Sequence, residues 1–271
     1  MDYQTLSVLG PGEDGVAEVV LRGTGEGNAF GGAFFSELPQ LVADLESDQS
    51  VRAVVLRGSE DGFSVGLDLR WYLTHYRRLA RGGDGALRAG LLAEAATMQQ
   101  AITSVSRGRL PFVAAVHGGC VGAGLDLVSA CDIRLASADA FFSLREIRIG
   151  VVADLGSLQR LPRIIGAAST RELALTGRDV PAREAAQLGL LTRVQPDPET
   201  LWRDARAVAA QIAAHPPQVV AGVRDVLDRT QDLSLAEGLR YVAVWNAAFL
   251  PSPQLPELLA AALRESVREP V

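Results

Sequence analysis

The fold turns on "HGGCVGAGLDLVSACDIRLASADAFFSL", His117–Leu144. It follows "FVAAVHG" (Phe112–Gly118), an apolar run introduced by Pro111 that reads as a short buried strand. After the glycines, Leu125, Val128 and Ser129 suggest a short helix. "CDIRLAS" (Cys131–Ser137) returns to strand-like alternation, and "AFFSL" (Ala140–Leu144) is a further short strand. The strands are nearly all apolar, which is the pattern of a sheet buried on both faces. Strand–helix–strand repetition of this kind predicts parallel crossovers with helices over the sheet, an α/β fold.

The same texture extends upstream. "GVAEVVLRG" (Gly15–Gly23) and "VRAVVLRG" (Val51–Gly58) read as strands. Between them Phe34, Leu38, Leu41, Val42 and Leu45 fall at helical spacing, and Leu91–Gly108 is a second helix. Arg77–Gly90 is charged and broken by glycine, and reads as a mobile excursion. Downstream of Ser157 the pattern turns helical. Pro216–Pro217 divides two helices, and two more are expected around Leu235–Phe249 and Pro256–Val267. This predicts an α/β core over 1–195 and a helical C-terminal region over 196–271.

Composition narrows the function. The chain has 271 residues, 48% of them hydrophobic, enough for one large core. A net charge of −6 gives no general attraction to nucleic acid or to an anionic membrane, so neither is an expected partner. The early acids Asp2, Glu13, Asp14, Glu18 and Glu26 do not suit a signal peptide, and the terminal "REPV" is not a lipidation or peroxisomal address. A cytoplasmic setting is the expectation. Cys120 and Cys131 make neither a disulfide framework nor a zinc signature. His75, His117 and His215 lack ligand spacing, so no metal site is expected.

Two glycine loops follow strands: "GFSVGLDL" (Gly62–Leu69) and the cluster Gly118, Gly119, Gly122 and Gly124. Such loops let backbone approach a ligand, and free N–H groups at a helix start can hold a developing oxyanion. Neither is a dinucleotide fingerprint or a P-loop, and the chain has no lysine. Three acids follow: Asp126, then Glu146 and Asp154 set in the apolar run "REIRIGVVADLGSLQRLPRIIG" (Arg145–Gly166). Carboxylates brought together in apolar surroundings hold protons near neutral pH and can act as acid and base. The plainer alternatives are that Asp126 caps or braces a helix, Glu146 pairs with Arg145 or Arg148, and Asp154 caps "LGSLQRL".

With "GFSVGLDL", the His117–Leu144 stretch and "LQRLPRIIG" in hand, the chain resembles the enoyl-CoA hydratase/isomerase, or crotonase, superfamily over about Asn28–Val194. The resemblance implies a spiral ββα core, an acyl-CoA thioester partner, and assembly as a homotrimer or homohexamer. It implies an oxyanion hole from the backbone N–H groups of Leu67 and Ala123, with Val65, Gly66, Asp68 and Gly122 at the substrate. No cofactor is implied, because coenzyme A is part of the substrate.

Within the superfamily, the set Asp126, Glu146 and Asp154 is similar to that of the Δ3,5-Δ2,4-dienoyl-CoA isomerases. Hydratases typically carry glutamate at the first two positions. The similarity implies proton transfer from C2 to C6 of a 3,5-dienoyl-CoA; two acids spaced along the acyl tail fit it, with Asp154 assigned to C2, Glu146 to C6, and Asp126 to tuning Glu146 or organising the pocket. Enoyl-CoA hydration, Δ3-Δ2-enoyl isomerisation and a non-catalytic acyl-CoA-binding scaffold are the rival readings.

Overall fold

The structure, a computed structural model, describes residues 3–23, 25, 27–250 and 255–268. Asp2, Glu26 and most of the terminal "REPV" lie outside the described residues. The chain divides into two compact units, Met1–Pro217 and Gln218–Val271.

The first unit opens with an antiparallel pair, β1 (Leu6–Leu9) and β2 (Val16–Leu21), followed by α1 (Gly32–Ser47) and β3 (Ala53–Arg57). Two helices come next, α2 (Leu69–Ala80) and α3 (Gly83–Ser104). Then follow β4 (Phe112–Val116), β5 (Gly119–Val121), α4 (Ala123–Ser129), β6 (Ile133–Ser137) and β7 (Phe141–Ser143). A 3-10 turn (Glu146–Ile149) leads to α5 (Ser157–Ile164) and α6 (Gly166–Thr176). β8 (Asp179–Pro181), α7 (Ala182–Gln187), β9 (Arg193–Gln195) and α8 (Pro198–Ala213) complete the unit.

The larger sheet runs β1-β2-β3-β4-β6-β9 and is parallel from β2 onward. A smaller sheet, β5-β7-β8, holds β5 and β7 in parallel. The spiral repeat follows from the chain order. β4 passes directly into β5, and β6 into β7, so each turn gives one strand to each sheet. The loop after β3 joins the same layer through a parallel bridge between Ser64 and Cys120.

Both faces of the larger sheet are covered, which is why its strands read as unbroken apolar runs. Ala53, Val55, Val113, Ala115 and Leu135 pack with Leu201, Ala205 and Ala209 of α8. The alternate residues Val54, Leu56, Phe112, Ala114 and Val116 turn to the other side, among Phe34, Leu38, Leu41 and Ile102. Every one of these residues is almost wholly buried.

Two sequence expectations are corrected here. Arg77–Gly90 is no loose excursion: it is the end of α2, a turn at Arg81–Gly82 and the start of α3. Gly90, which had looked like a break, is a packing position inside α3. A Cβ there would stand 2.7 Å from Leu79 Cδ2 of α2. The expected boundary at residue 195 also moves. α8 closes the back of the sheet, so the first unit continues to Pro217.

The second unit carries most of α9 (Pro217–Arg229), with α10 (Leu235–Phe249) and α11 (Leu255–Arg268). Ser234 and Glu237 form a reciprocal capping box at the start of α10. Gly222 of α9 leaves room for the Trp245 indole of α10, which would stand 2.1 Å from a Cβ at that position.

Candidate active site

The glycine loops after β3 and β5 meet edge to edge. Gly66 has φ +89, and a Cβ on it would stand 2.4 Å from the Val121 carbonyl oxygen and 3.2 Å from the Ala123 nitrogen. Only glycine permits both that backbone conformation and that approach. The Phe30 strand segment pairs with this loop through Phe30 N to Gly66 O (2.7 Å) and Asp68 N to Phe30 O (2.9 Å). In a parallel bridge of that form the intervening Leu67 N–H points the other way. Ala123 N–H opens α4 and is one of the donors a helix start leaves unused. Among the described residues neither N–H donates to another group.

Leu67 and Ala123 line one cavity of about 310 Å³. Its walls are mostly apolar, with Val65, Leu69, Met98, Val121, Ile149 and Leu155 among them. Asp126, Glu146 and Asp154 all reach it. These acids come from three places that chain order alone does not join: α4, the 3-10 turn after β7, and the segment before α5.

Their environments are graded. Asp126 is 1% exposed. Its Oδ1 accepts the Ser157 N–H at 2.6 Å. Burial pushes its carboxyl up to about 6, against the pull of that N–H and of Arg160. Glu146 is half-buried. Its Oε2 is enclosed with no hydrogen-bond partner among the described residues, and Oε1 lies 3.2 Å from where a Cβ on Gly122 would be. Burial, reinforced by the charges of Asp126 and Asp154, pushes Glu146 up to about 7. Asp154 stands in the solvent-open part of the site, and partial desolvation raises it.

The plainer readings of these acids resolve separately. Asp126 does brace a helix: it supplies the side-chain acceptor for the start of α5, whose own N-cap residue, Gly156, has no side chain to offer. That leaves Asp154 free of the capping duty. Glu146 pairs with neither neighbouring arginine. Arg145 makes a two-pronged contact with Asp179 (3.0 and 2.6 Å), and Arg148 lies 3.8 Å from the same carboxylate.

The remaining expected site residues divide. Val65 and Gly122 line the cavity, while Gly66 shapes it from within the loop. Asp68 does not line the cavity; its Oδ1 accepts the N–H groups of Arg70 (2.9 Å) and Trp71 (3.0 Å) as the N-cap of α2. Sequence reading did not single out Met98, because a methionine at helical spacing is ordinary core. Tyr72 lies in the first turn of α2. It lines the cavity, whereas Trp71 stacks on His75 at 5.4 Å.

The comparisons agree with this geometry. The family model described as enoyl-CoA hydratase/isomerase matches residues 12–243. A peroxisomal Delta(3,5)-Delta(2,4)-dienoyl-CoA isomerase of Arabidopsis thaliana is 38% identical over 96% of this chain and 94% of its own length. The mitochondrial enzyme of that name from Homo sapiens is also 38% identical, over 96% of this chain and 79% of its own. The crystal structure of an enoyl-CoA hydratase from Bacillus anthracis superposes with a TM-score of 0.85 at 26% identity, covering 97% of each chain. The spiral of paired sheets and a match over most of its length together place this chain in the enoyl-CoA hydratase/isomerase family.

Proposed function

We propose that this enzyme converts 3,5-dienoyl-CoA to 2,4-dienoyl-CoA. The observation that carries the reading is the set of three differently solvated carboxylates on one apolar cavity beside two free backbone N–H groups. The family binds acyl-CoA thioesters, and relatives at 36–38% identity bear the isomerase name.

In this mechanism the thioester oxygen sits between the N–H groups of Leu67 and Ala123. Asp154, the most solvated of the three acids, takes a proton from C2. The C2–H electron pair moves into the conjugated system, and negative charge collects on the thioester oxygen. Loss of one such donor typically costs about 3–4 kcal/mol of transition-state stabilisation. Glu146, protonated near neutral pH, delivers a proton to C6. The double bonds then lie at C2–C3 and C4–C5. Asp154 ends protonated and Glu146 ionised, and exchange with solvent restores them. Hydration would instead need two acids converging on one water at C2–C3. We include in the proposal a trimeric or hexameric assembly, supported by exposed leucines such as Leu227, Leu239 and Leu259 in the helical unit.

The test is the ultraviolet product spectrum of a 3,5-dienoyl-CoA beside that of a 2-enoyl-CoA. A conjugated 2,4-dienoyl product is expected from the first. Hydration of the second without isomerisation of the first would replace this reading with a hydratase. Binding with no spectral change in either would leave a scaffold.

A further inference from the structure

Asp154 stands on a stretch with no helix or strand of its own, between the 3-10 turn (Glu146–Ile149) and α5 (Ser157–Ile164). Gly150 and Gly156 bracket it, with φ +75 and +121. No ladder of helix or sheet hydrogen bonds fixes such a stretch, so its carbonyls must find other donors. The Asp154 carbonyl finds one in a side chain: Gln99 Nε2, from α3, donates to it at 2.7 Å. The next carbonyl, that of Leu155, accepts from Arg160 Nη1 at 3.3 Å, and Arg160 Nη2 donates to the Thr103 hydroxyl of α3 at 3.2 Å. A Cβ on Gly156 would stand 2.0 Å from Arg160 Nη1, so the guanidinium lies against the turn itself. Gln99 and Thr103 are four residues apart, on one face of α3. This helix therefore grips the stretch at two successive peptide groups, once directly and once through Arg160.

The same helix builds part of the cavity. Met98, next to Gln99, is buried and lines it, as do Asp154 and Leu155. Gln99 itself is exposed. An exposed amide can trade this bond for one to water at little cost, so global stability is not what the bond controls. It controls place. A general base works only when held within about 0.5 Å of its productive position, and a misplacement of about 1 Å can cost roughly 10²-fold in rate.

We propose that Gln99 is a positioning residue: by holding the Asp154 carbonyl, it aims the Asp154 carboxylate at C2 of the acyl chain. This deepens the isomerase reading and rests on it for the identity of C2.

The test uses full-length Gln99→Met, which keeps the side chain's length and removes its donor, beside Gln99→Lys, which keeps a donor. In Gln99→Met, kcat for a 3,5-dienoyl-CoA should fall about 10-fold or more, with KM and melting temperature close to wild type. The kinetic isotope effect from deuterium at C2 should rise, because cleavage of the C2–H bond becomes the slow step. Gln99→Lys should recover most of kcat. A merely structural role would lower the melting temperature and raise KM without moving the isotope effect. That outcome, or wild-type kcat in Gln99→Met, overturns the proposal. Should Gln99→Met fail to fold, Gln99→Ala, a good helix former at an exposed position, is held to the same outcomes. Hydrogen exchange at the backbone amides of Val151–Ser157 needs no turnover. It should quicken in Gln99→Met and return towards the wild-type rate in Gln99→Lys, and unchanged exchange overturns the proposal. A wild type that forms no 2,4-dienoyl product would fail the isomerase reading, while the exchange rates still decide whether Gln99 holds the stretch.

Discussion

Asp126 accepts the Ser157 N–H at 2.6 Å, so a carboxylate on α4 caps a helix thirty-one residues further along the chain. One side chain thereby ties the helix that follows the second glycine loop to the segment that carries Asp154. Ser157 is fully buried, and its N–H has no water to turn to if the acceptor is lost. Asp126→Ala should therefore lower stability by about 1–2 kcal/mol, the cost of a lost cap. Asp126→Asn, which keeps a carbonyl acceptor, should lose less. Equal melting temperatures for Asp126→Ala and wild type would show that this bond contributes nothing.

The order of proton transfer is open to solvent exchange. Asp154→Asn should reduce dienoyl isomerisation by about 10²–10⁴-fold and abolish exchange of C2 hydrogen with deuterated solvent. Glu146→Gln should block turnover but keep that exchange. Exchange retained in Asp154→Asn and lost in Glu146→Gln would reverse the two roles. Near-normal turnover in both would sink the two-acid mechanism.

Glu146 should donate only while protonated. With its carboxyl raised to about 7 by burial, kcat/KM should decline as pH rises through that value. Stability should move the same way. A carboxyl raised in the folded state holds its proton more tightly there than in the unfolded chain. Its contribution is full below the unfolded value and is lost as pH rises from about 4.3 through 7. Glu146→Gln should flatten that part of a melting-temperature profile, and an unchanged slope would assign it to other groups.

Gly66→Ala should be severe. The position has φ +89, and its new methyl would enter the Val121 carbonyl at 2.4 Å. A non-glycine residue in such backbone costs about 1–3 kcal/mol before the clash is counted. Relief of that clash must part the two loops and spread the Leu67 and Ala123 donors. Loss of turnover together with a lowered melting temperature is expected, and a variant with wild-type kinetics would remove Gly66 from the site's architecture.

Asp68→Ala separates a cap from a ligand contact. As the N-cap of α2, Asp68 should yield about 0.5–2 kcal/mol of stability on truncation. Asp68→Ser, which still caps, should restore most of it. A large rise in KM that Asp68→Ser does not repair would instead place the carboxylate on substrate.

Much of the fold was legible from local pattern. Apolar runs such as "VRAVVLRG" and "FVAAVHG" must be buried on both faces, and the glycines after them announce tight loops. What misled was equally local. Gly82, Gly83 and Gly90 look like breaks in a linear reading. Gly90 instead makes room for Leu79 from a helix that only the folded chain brings alongside.

The sequence by itself determined the α/β class, the two glycine loops and the three acids, because periodicity, turn chemistry and residue type are properties of neighbouring positions. It left the bland role of each acid open, whether helix cap or ion pair. Only the tertiary structure decided those. Asp126 caps α5 from α4, Asp179 engages the arginines beside Glu146, and Arg160 lies back against Gly156. A carboxyl's protonation depends on burial and on partners distant in sequence, and those exist only once the loops after β3, β5 and β7 close on one cavity.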